Sequence, residues 1–351
     1  MTTAPQIPIQ NIYYLLCYAW NKLEERDIVE VSGIDSAHIM DLFAKVLIGG
    51  ISHLFKRGLD RGYVSFSTDS GCLKGKICFA PTIKRNLLTK AQANCEYDEL
   101  SHNVLHNQIL KSTTRYLINV ENLDKDLKNE LIGLYRRLYD IDEINLTNST
   151  FTRVQLHKNN AFYDFLLKIC ELVYDNLLVS KDPGKSKFRD FFQDKNRMAY
   201  LFEEFVRNFY KIEASGYKVR REDIYWGPEG ADRDSISLLP KMITDISIES
   251  DNSKAIIDTK YYKEALRKHF DQEKIREHNI YQIFAYLKNL EKNGGKNLSC
   301  NGVLLYPTVD KDINEIAPLD SKHKLIVRTI NLNQDWKMIH KDLIDLLARA
   351  L

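Results

Sequence analysis

Residues 241–263, KMITDISIESDNSKAIIDTKYYK, read as two β-strands joined by a polar turn. In the first, Thr244, Ile246 and Ile248 alternate with Ile243, Asp245 and Ser247, the period-two pattern of a pleated strand. Glu249 to Ser253 supplies the Asp, Asn and Ser that favour turns. In the second strand Ile256, Asp258 and Lys260 fall on one face, and Ala255, Ile257 and Thr259 on the other. A hairpin therefore sets Asp258 beside Lys260 and lets Asp245 join them from the neighbouring strand.

Two carboxylates and a lysine suit hydrolysis of a phosphodiester. A lone Asp-x-Lys is commonly an ion pair at a strand end, but two aspartates inside an isoleucine-rich run need a counter-ion. Asp245 and Asp258 are expected to hold a hard divalent cation, Mg2+ or alternatively Mn2+, with the Thr259 carbonyl as a third ligand. Such a cation neutralises a scissile phosphate and acidifies a bound water. Lys260 is expected to orient or deprotonate that water, or to stabilise charge that develops in the transition state.

Asp245…Asp258-Thr259-Lys260 resembles the PD-(D/E)XK nuclease motif, with Thr244 where the motif's name has proline. The flanking LLPKMITDI (238–246) and IIDTKYYK (256–263), the opening IPIQNIYYLLCYAW (7–20) and LKGKICFAPTIKR (73–85) are similar more narrowly to McrC, and the likeness runs from Ile7 to about Trp336. McrC is the nuclease subunit of the McrBC restriction system. The resemblance implies a metal-dependent endonuclease subunit acting on double-stranded DNA that carries 5-methylcytosine. It also implies a hexameric AAA+ GTPase partner of the McrB type, whose GTPase the subunit stimulates. GTP then enters only through that partner.

The same resemblance points to further residues. A helical acid often joins the metal site in this superfamily, and on the helix expected at 198–211 Glu203 is the candidate, with Glu204 the alternative. A Q-x-x-x-Y pair often stands beside the catalytic lysine. Gln282 and Tyr286 match it, four apart on a helix expected at 272–292 whose buried stripe is Ile280, Ile283, Phe284 and Leu287. Residues 56–95 hold eight Lys or Arg against two Asp. Alternation there suggests strands with exposed loops, and a basic surface of that kind contacts DNA phosphate or a partner. Since the N-terminal domain of McrC docks into the pore of its ring-shaped GTPase, the resemblance assigns Lys74, Lys76, Lys84 and Arg85 to partner binding.

The rest of the chain sets bounds. Its 351 residues suggest two domains, 1–159 and 160–351, and the net charge of +2 makes any nucleic-acid surface a local one. Six cysteines are scattered with no C-x-x-C pair, which fits reduced cytoplasmic thiols rather than a disulfide or zinc framework. Ile12 to Trp20 is too short to span a bilayer and lacks the basic lead of a secretory signal. Gly184-Lys185-Ser186 is not a phosphate loop, because Val179 stands where its first glycine belongs. No membrane and no small-molecule substrate are expected. A helix capped by Asn11, with the stripe Ile12, Leu15, Leu16 and Ala19, is expected within 6–25, and further helices at 38–55, 97–118, 124–139, 161–178 and 335–351. Strands are expected at 301–306 and 324–330, and a basic loop at 180–197. The fold class is α/β: an α+β N-terminal domain, then a nuclease core with a mixed central sheet flanked by helices. Two other functions fit the same core: a non-catalytic factor that seats in and activates the motor ring, and a repair-type nuclease with another motor.

Overall fold

A computed structural model of the protein describes residues 7–23, 39–156, 160–177, 194–227, 238–261, 267–269, 272–308 and 312–351. Most of the basic loop at 180–197, with Gly184 to Ser186, lies outside the described residues, as do Tyr262 and Lys263.

The chain forms two compact units, one of Asp27–Arg189 and the other of Met1–Arg26 with Asp190–Leu351. This differs from the expected split at 159/160 at both of its ends. Helix α1 (Ile9–Ala19) belongs with the C-terminal unit, and the helix at 161–177 belongs with the other. The reason lies in packing. Leu15 and Tyr18 of α1 share a core with Phe202, Phe205 and Phe209, and Tyr18 donates to Glu213 at 2.7 Å. Asn11 does not cap α1. Pro8 holds that position, and the Asn11 amide donates to the Leu332 and Gln334 carbonyls at 2.8 and 2.7 Å.

The Asp27–Arg189 unit carries, in chain order, α2 (Ile39–Arg57), β1 (Gly62–Ser70), β2 (Lys76–Ile77), α3 (Phe79–Lys84), β3 (Ala93–Ser101), α4 (Leu105–Ile118), α5 (Lys125–Arg137), α6 (Asn148–Thr152) and α7 (Ala161–Leu177). Helices α2, α4, α5 and α7 pack on one another. A Cβ at Gly50 would fall 2.3 Å from Leu166 Cδ2, so glycine is what lets α2 and α7 close up. Beside this bundle, β1, β3 and β2 form an antiparallel sheet in that order. The helix expected at 97–118 starts only at Leu105. Residues 93–101 pair with β1 over its whole length, and Leu100 is exposed rather than part of a core.

The other unit continues with α8 (Lys195–Glu213), β4 (Lys218–Arg220), β5 (Asp223–Ile224), β6 (Met242–Ile243), β7 (Ile246–Glu249), β8 (Lys254–Thr259), β9 (Arg267–His269), β10 (Gln272–Lys274), α9 (Glu277–Leu290), β11 (Asn301–Pro307), β12 (Asn314–Pro318), β13 (Lys324–Ile330) and α10 (Trp336–Ala350). Six strands make a mixed sheet in the order β12-β13-β11-β8-β7-β4. Strands β8, β11 and β13 are parallel, and the hairpin β7–β8 is antiparallel. Helices α1, α8 and α10 cover one face, where Ile246, Ile257, Val303 and Ile326 point. Helix α9 covers the other, over Ile256, Leu304 and Val327. Every residue of β8 is buried, as expected for a strand covered on both faces.

Helix α9 starts later than expected, since 272–274 pairs with β9 as a strand. Its buried stripe is Ile283, Tyr286, Leu287 and Leu290, while Phe284 is exposed. At Gly302 of β11 an added Cβ would sit 2.3 Å from Ile283 Cγ2, so the helix lies as close to the sheet as glycine permits.

Candidate active site

The hairpin register pairs Ile246 with Ile257, which sets Asp245 across from Asp258. The first strand is not continuous. Residues 242–243 pair with β5 instead, and the chain crosses to β7 through Thr244 and Asp245. Thr244 is fully buried and fixes this crossing. Its N–H donates to the Glu222 carbonyl at 3.0 Å, and its Oγ1 accepts from the Glu222 N–H at 3.0 Å. A proline there could not make the first of these bonds, which gives the departure from the motif's name a structural role.

Asp245 Oδ2 accepts from the Thr259 N–H at 2.8 Å and from Thr259 Oγ1 at 3.1 Å. Thr259 therefore aims the Asp245 carboxylate with its amide and hydroxyl. Asp258 is completely buried. Lys260 Nζ lies 2.7 Å from its Oδ2, a close ion pair outside hydrogen-bond alignment, and Oδ1 has no hydrogen-bond partner among the described residues. Burial pushes the Asp258 carboxyl up to about 7. Asp245 and Glu203 act in the same direction, against the pull of Lys260.

Lys260 is held from its other side. Its Nζ donates to Gln282 Oε1 at 3.1 Å, Gln282 Nε2 donates to the Tyr286 hydroxyl at 2.7 Å, and that hydroxyl donates to the Ile243 carbonyl at 3.0 Å. The ammonium can only donate, so this chain has one direction. It ends one residue before Thr244. Burial raises the Tyr286 pKa and keeps its proton in place as a donor. The structure thus brings Asp245, Asp258, Thr259, Lys260, Gln282 and Tyr286 together.

On α8, Glu203 Oε1 accepts from Arg207 Nη1 at 2.9 Å and from Arg221, while Glu204 pairs with Arg207. Glu203 adds to the negative field at Asp258. Arg207 and Arg221 carried no sequence signal of their own, although Arg207 stands three and four residues after the two glutamates.

The donor set fits a hard divalent cation. Asp258 offers a buried carboxylate oxygen without a hydrogen-bond partner among the described residues, Asp245 faces it, and all candidate ligands are oxygens. A second acidic group lies at the opposite end of α9. There Glu291, Asp320 and His323 place their ligand atoms within 4.8 Å of one another. Lys288 and Lys322 already pair with its carboxylates, which draws Glu291 down to about 2 and Asp320 lower still. Two lysines already neutralise the carboxylates of that group, whereas Asp258 Oδ1 has no hydrogen-bond partner among the described residues.

The four basic residues at 74–85 are exposed. Lys74 lies over the Tyr97 ring, Lys76 pairs across the sheet with Glu96, and Arg85 grips Asp69 with 3.1 Å contacts. Strand β3 brings Glu96, Asp98 and Glu99 to the same sheet, so this surface is less basic than residues 56–95 read alone. What composition hid is its apolar content: Leu73, Phe79, Ile83 and Leu88 are each at least 60% exposed.

A sequence profile described as McrBC 5-methylcytosine restriction system component matches residues 9–307. The chain belongs to this McrBC family. It is 32% identical, over 347 residues and 99% of both chains, to the type IV methyl-directed restriction enzyme EcoKMcrBC of Escherichia coli strain K12. Its fold is similar to a chain of the half-complex of Thermococcus gammatolerans McrB AAA+ hexamers with bound McrC. That likeness has a TM-score of 0.64 at 15% identity and covers 99% of this chain and 77% of that one. The McrBC membership and the mixed six-stranded sheet agree with the α/β expectation. Among the described residues of this McrBC protein, no helix is long and apolar enough to cross a membrane.

Proposed function

We propose that this McrBC-family protein is the endonuclease subunit of a modification-dependent restriction complex. It hydrolyses phosphodiesters of DNA carrying 5-methylcytosine, in the cytoplasm, and depends on Mg2+ or Mn2+. The observation that carries this reading is the convergence of Asp245, Asp258 and Lys260 on one hollow around the buried Asp258, whose Oδ1 has no hydrogen-bond partner among the described residues.

Asp245 and Asp258 would hold the cation, with Glu203 supplying further negative charge from α8. When bound, such an ion supplies charge for the scissile phosphate and acidifies a water. Thr259 keeps Asp245 from rotating away. Gln282 and Tyr286 anchor Lys260 to the backbone at Ile243, so its ammonium is held in place where negative charge develops. The packing around β8 takes Asp258 out of water, which strengthens its electrostatic contacts.

The partner in this reading is a hexameric AAA+ GTPase, which binds GTP and selects methylated DNA. The McrB hexamer solved with bound McrC supports the pairing. The exposed sheet and α3 offer a surface for it, with Lys74, Lys76 and Lys84 interleaved with Phe79, Ile83 and Leu88. An apolar core inside a polar rim is the usual anatomy of a protein–protein interface. The intact Asp245–Asp258–Lys260 set favours a nuclease over a purely structural activator.

The test is cleavage of methylated and unmethylated plasmid by the co-purified chain and GTPase. Cutting of methylated plasmid alone, and only with GTP and Mg2+, is the expected result. Equal cutting of both plasmids, or full cutting in excess EDTA, would rule this function out.

A further inference from the structure

We propose that Arg221 is a resident counter-cation of the metal hollow, which a divalent cation displaces and which then holds a phosphate of the DNA strand. This rests on the metal-dependent nuclease reading above. Arg221 sits in the short link between β4 and β5. Its guanidinium contacts Glu203 and lies 3.8 Å from Glu204. Asp245, on the strand side of the hollow, also favours its charge.

The charges around the hollow argue for displacement. With Asp258 ionised, as binding a cation requires, Glu203, Glu204, Asp245 and Asp258 face Lys260, Arg207 and Arg221, so four carboxylates meet three cations. Adding a divalent ion with Arg221 in place would make the group net positive, whereas losing Arg221 at the same moment leaves it balanced. An arginine cannot yield its charge by deprotonating, so it has to move.

The three cations differ in their freedom to do so. The Arg207 side chain is 9% exposed and locked under both glutamates, and Lys260 is tied to Asp258 and Gln282. Arg221 is 46% exposed. Its backbone is nonetheless held. The neighbouring Glu222 exchanges two bonds with Thr244, and its carboxylate is fixed by Ser247, Lys254 and Arg220. A pinned backbone with a half-exposed planar guanidinium at the lip of the site can swing from a carboxylate to a phosphate. Bidentate recognition of either group suits its geometry.

The test compares full-length wild type, Arg221→Gln, Arg221→Lys and Asp258→Asn. Mn2+ binding to the DNA-free chain is titrated by the electron paramagnetic resonance of free Mn2+. Binding of a labelled duplex is measured in Ca2+ across a salt series. Arg221→Gln is expected to bind Mn2+ about three- to tenfold more tightly, because a competing cation is gone. It should bind DNA more weakly, with a salt slope lower by about one phosphate contact. Arg221→Lys keeps the charge and should bind Mn2+ within about twofold of wild type. Unchanged or weaker Mn2+ binding by Arg221→Gln, with an unchanged salt slope, would make the Glu203 contact purely structural and overturn the proposal. Asp258→Asn separates the two readings. It should lose Mn2+ binding, and wild-type binding by that variant would instead overturn the metal site itself.

Discussion

Asp258→Asn is expected to reduce DNA cleavage by the complex at least about 10³-fold while making the metal-free protein more stable. Cleavage falls because the variant loses the buried anionic oxygen and the ion pair that seats Lys260. Stability rises because burying that charge beside Asp245 costs more than the Lys260 ion pair returns. The Asp258 pKa is raised from 3.8 to about 7 in the folded chain, chiefly by burial and then by Asp245. A carboxyl with a raised folded pKa leaves stability highest at low pH, and stability is lost as pH rises through the folded value. In EDTA at pH 8 the variant should therefore exceed wild type by about 2–4 kcal/mol, and near pH 4 the difference should vanish. Urea unfolding at the two pH values measures it. A variant less stable than wild type at pH 8 would show that Asp258 is a satisfied structural partner. GTP turnover by the partner should stay normal with this variant, because the change lies in the hollow and not on the exposed sheet.

The second large effect is expected at Lys254. Its side chain is 2% exposed and its Nζ meets Glu222 at 2.7 Å, Asn297 at 3.0 Å and Glu249 at 3.8 Å. Burial pushes the Glu249 carboxyl up, but Lys254, Arg220 and Lys296 outweigh it and hold its pKa below the usual value. Lys254→Met removes the central cation and leaves two poorly solvated carboxylates, a loss of about 3–5 kcal/mol at pH 7–8. The sign with pH is opposite to that at Asp258. A depressed carboxylate pKa contributes stability above the unfolded value and loses it as pH falls, so the deficit should shrink toward pH 3. Denaturant midpoints of the variant across this range test it, and a deficit that grows in acid would contradict the assignment.

The hairpin was legible because its residues carry two signals at once. Alternation marked the hairpin, though not the break at Thr244 and Asp245 that Glu222 imposes, and the aspartates inside an isoleucine run marked a site that had to be compensated. Gln282 and Tyr286 were legible through the resemblance, yet the stripe drawn for α9 put Phe284 inside and left Tyr286 on a flank. Residues 283, 286, 287 and 290 are equally helical in spacing, and only the packing against Gly302 and β11 chooses between them. Helix α1 shows the same limit. Its apolar face was evident, but periodicity does not say which unit a face covers, and Leu15 and Tyr18 pack with α8. Residues 97–101 have a pattern compatible with either a strand or a helix start, and the nine-residue pairing with β1 decides it. Arg207 and Arg221 were missed because a cation beside acids on a helix, or in a short link, is ordinary in sequence. Their meaning comes from Glu203, Glu204 and Asp245 converging on them.

Anomalous diffraction from a crystal soaked in Mn2+ tests most directly whether Asp245 and Asp258 form the metal-binding half of a nuclease site. The expected peak lies between the carboxylates of Asp245 and Asp258, within coordination distance of both, and is absent from Asp258→Asn. A peak at Glu291, Asp320 and His323 with none at the hairpin would contradict it.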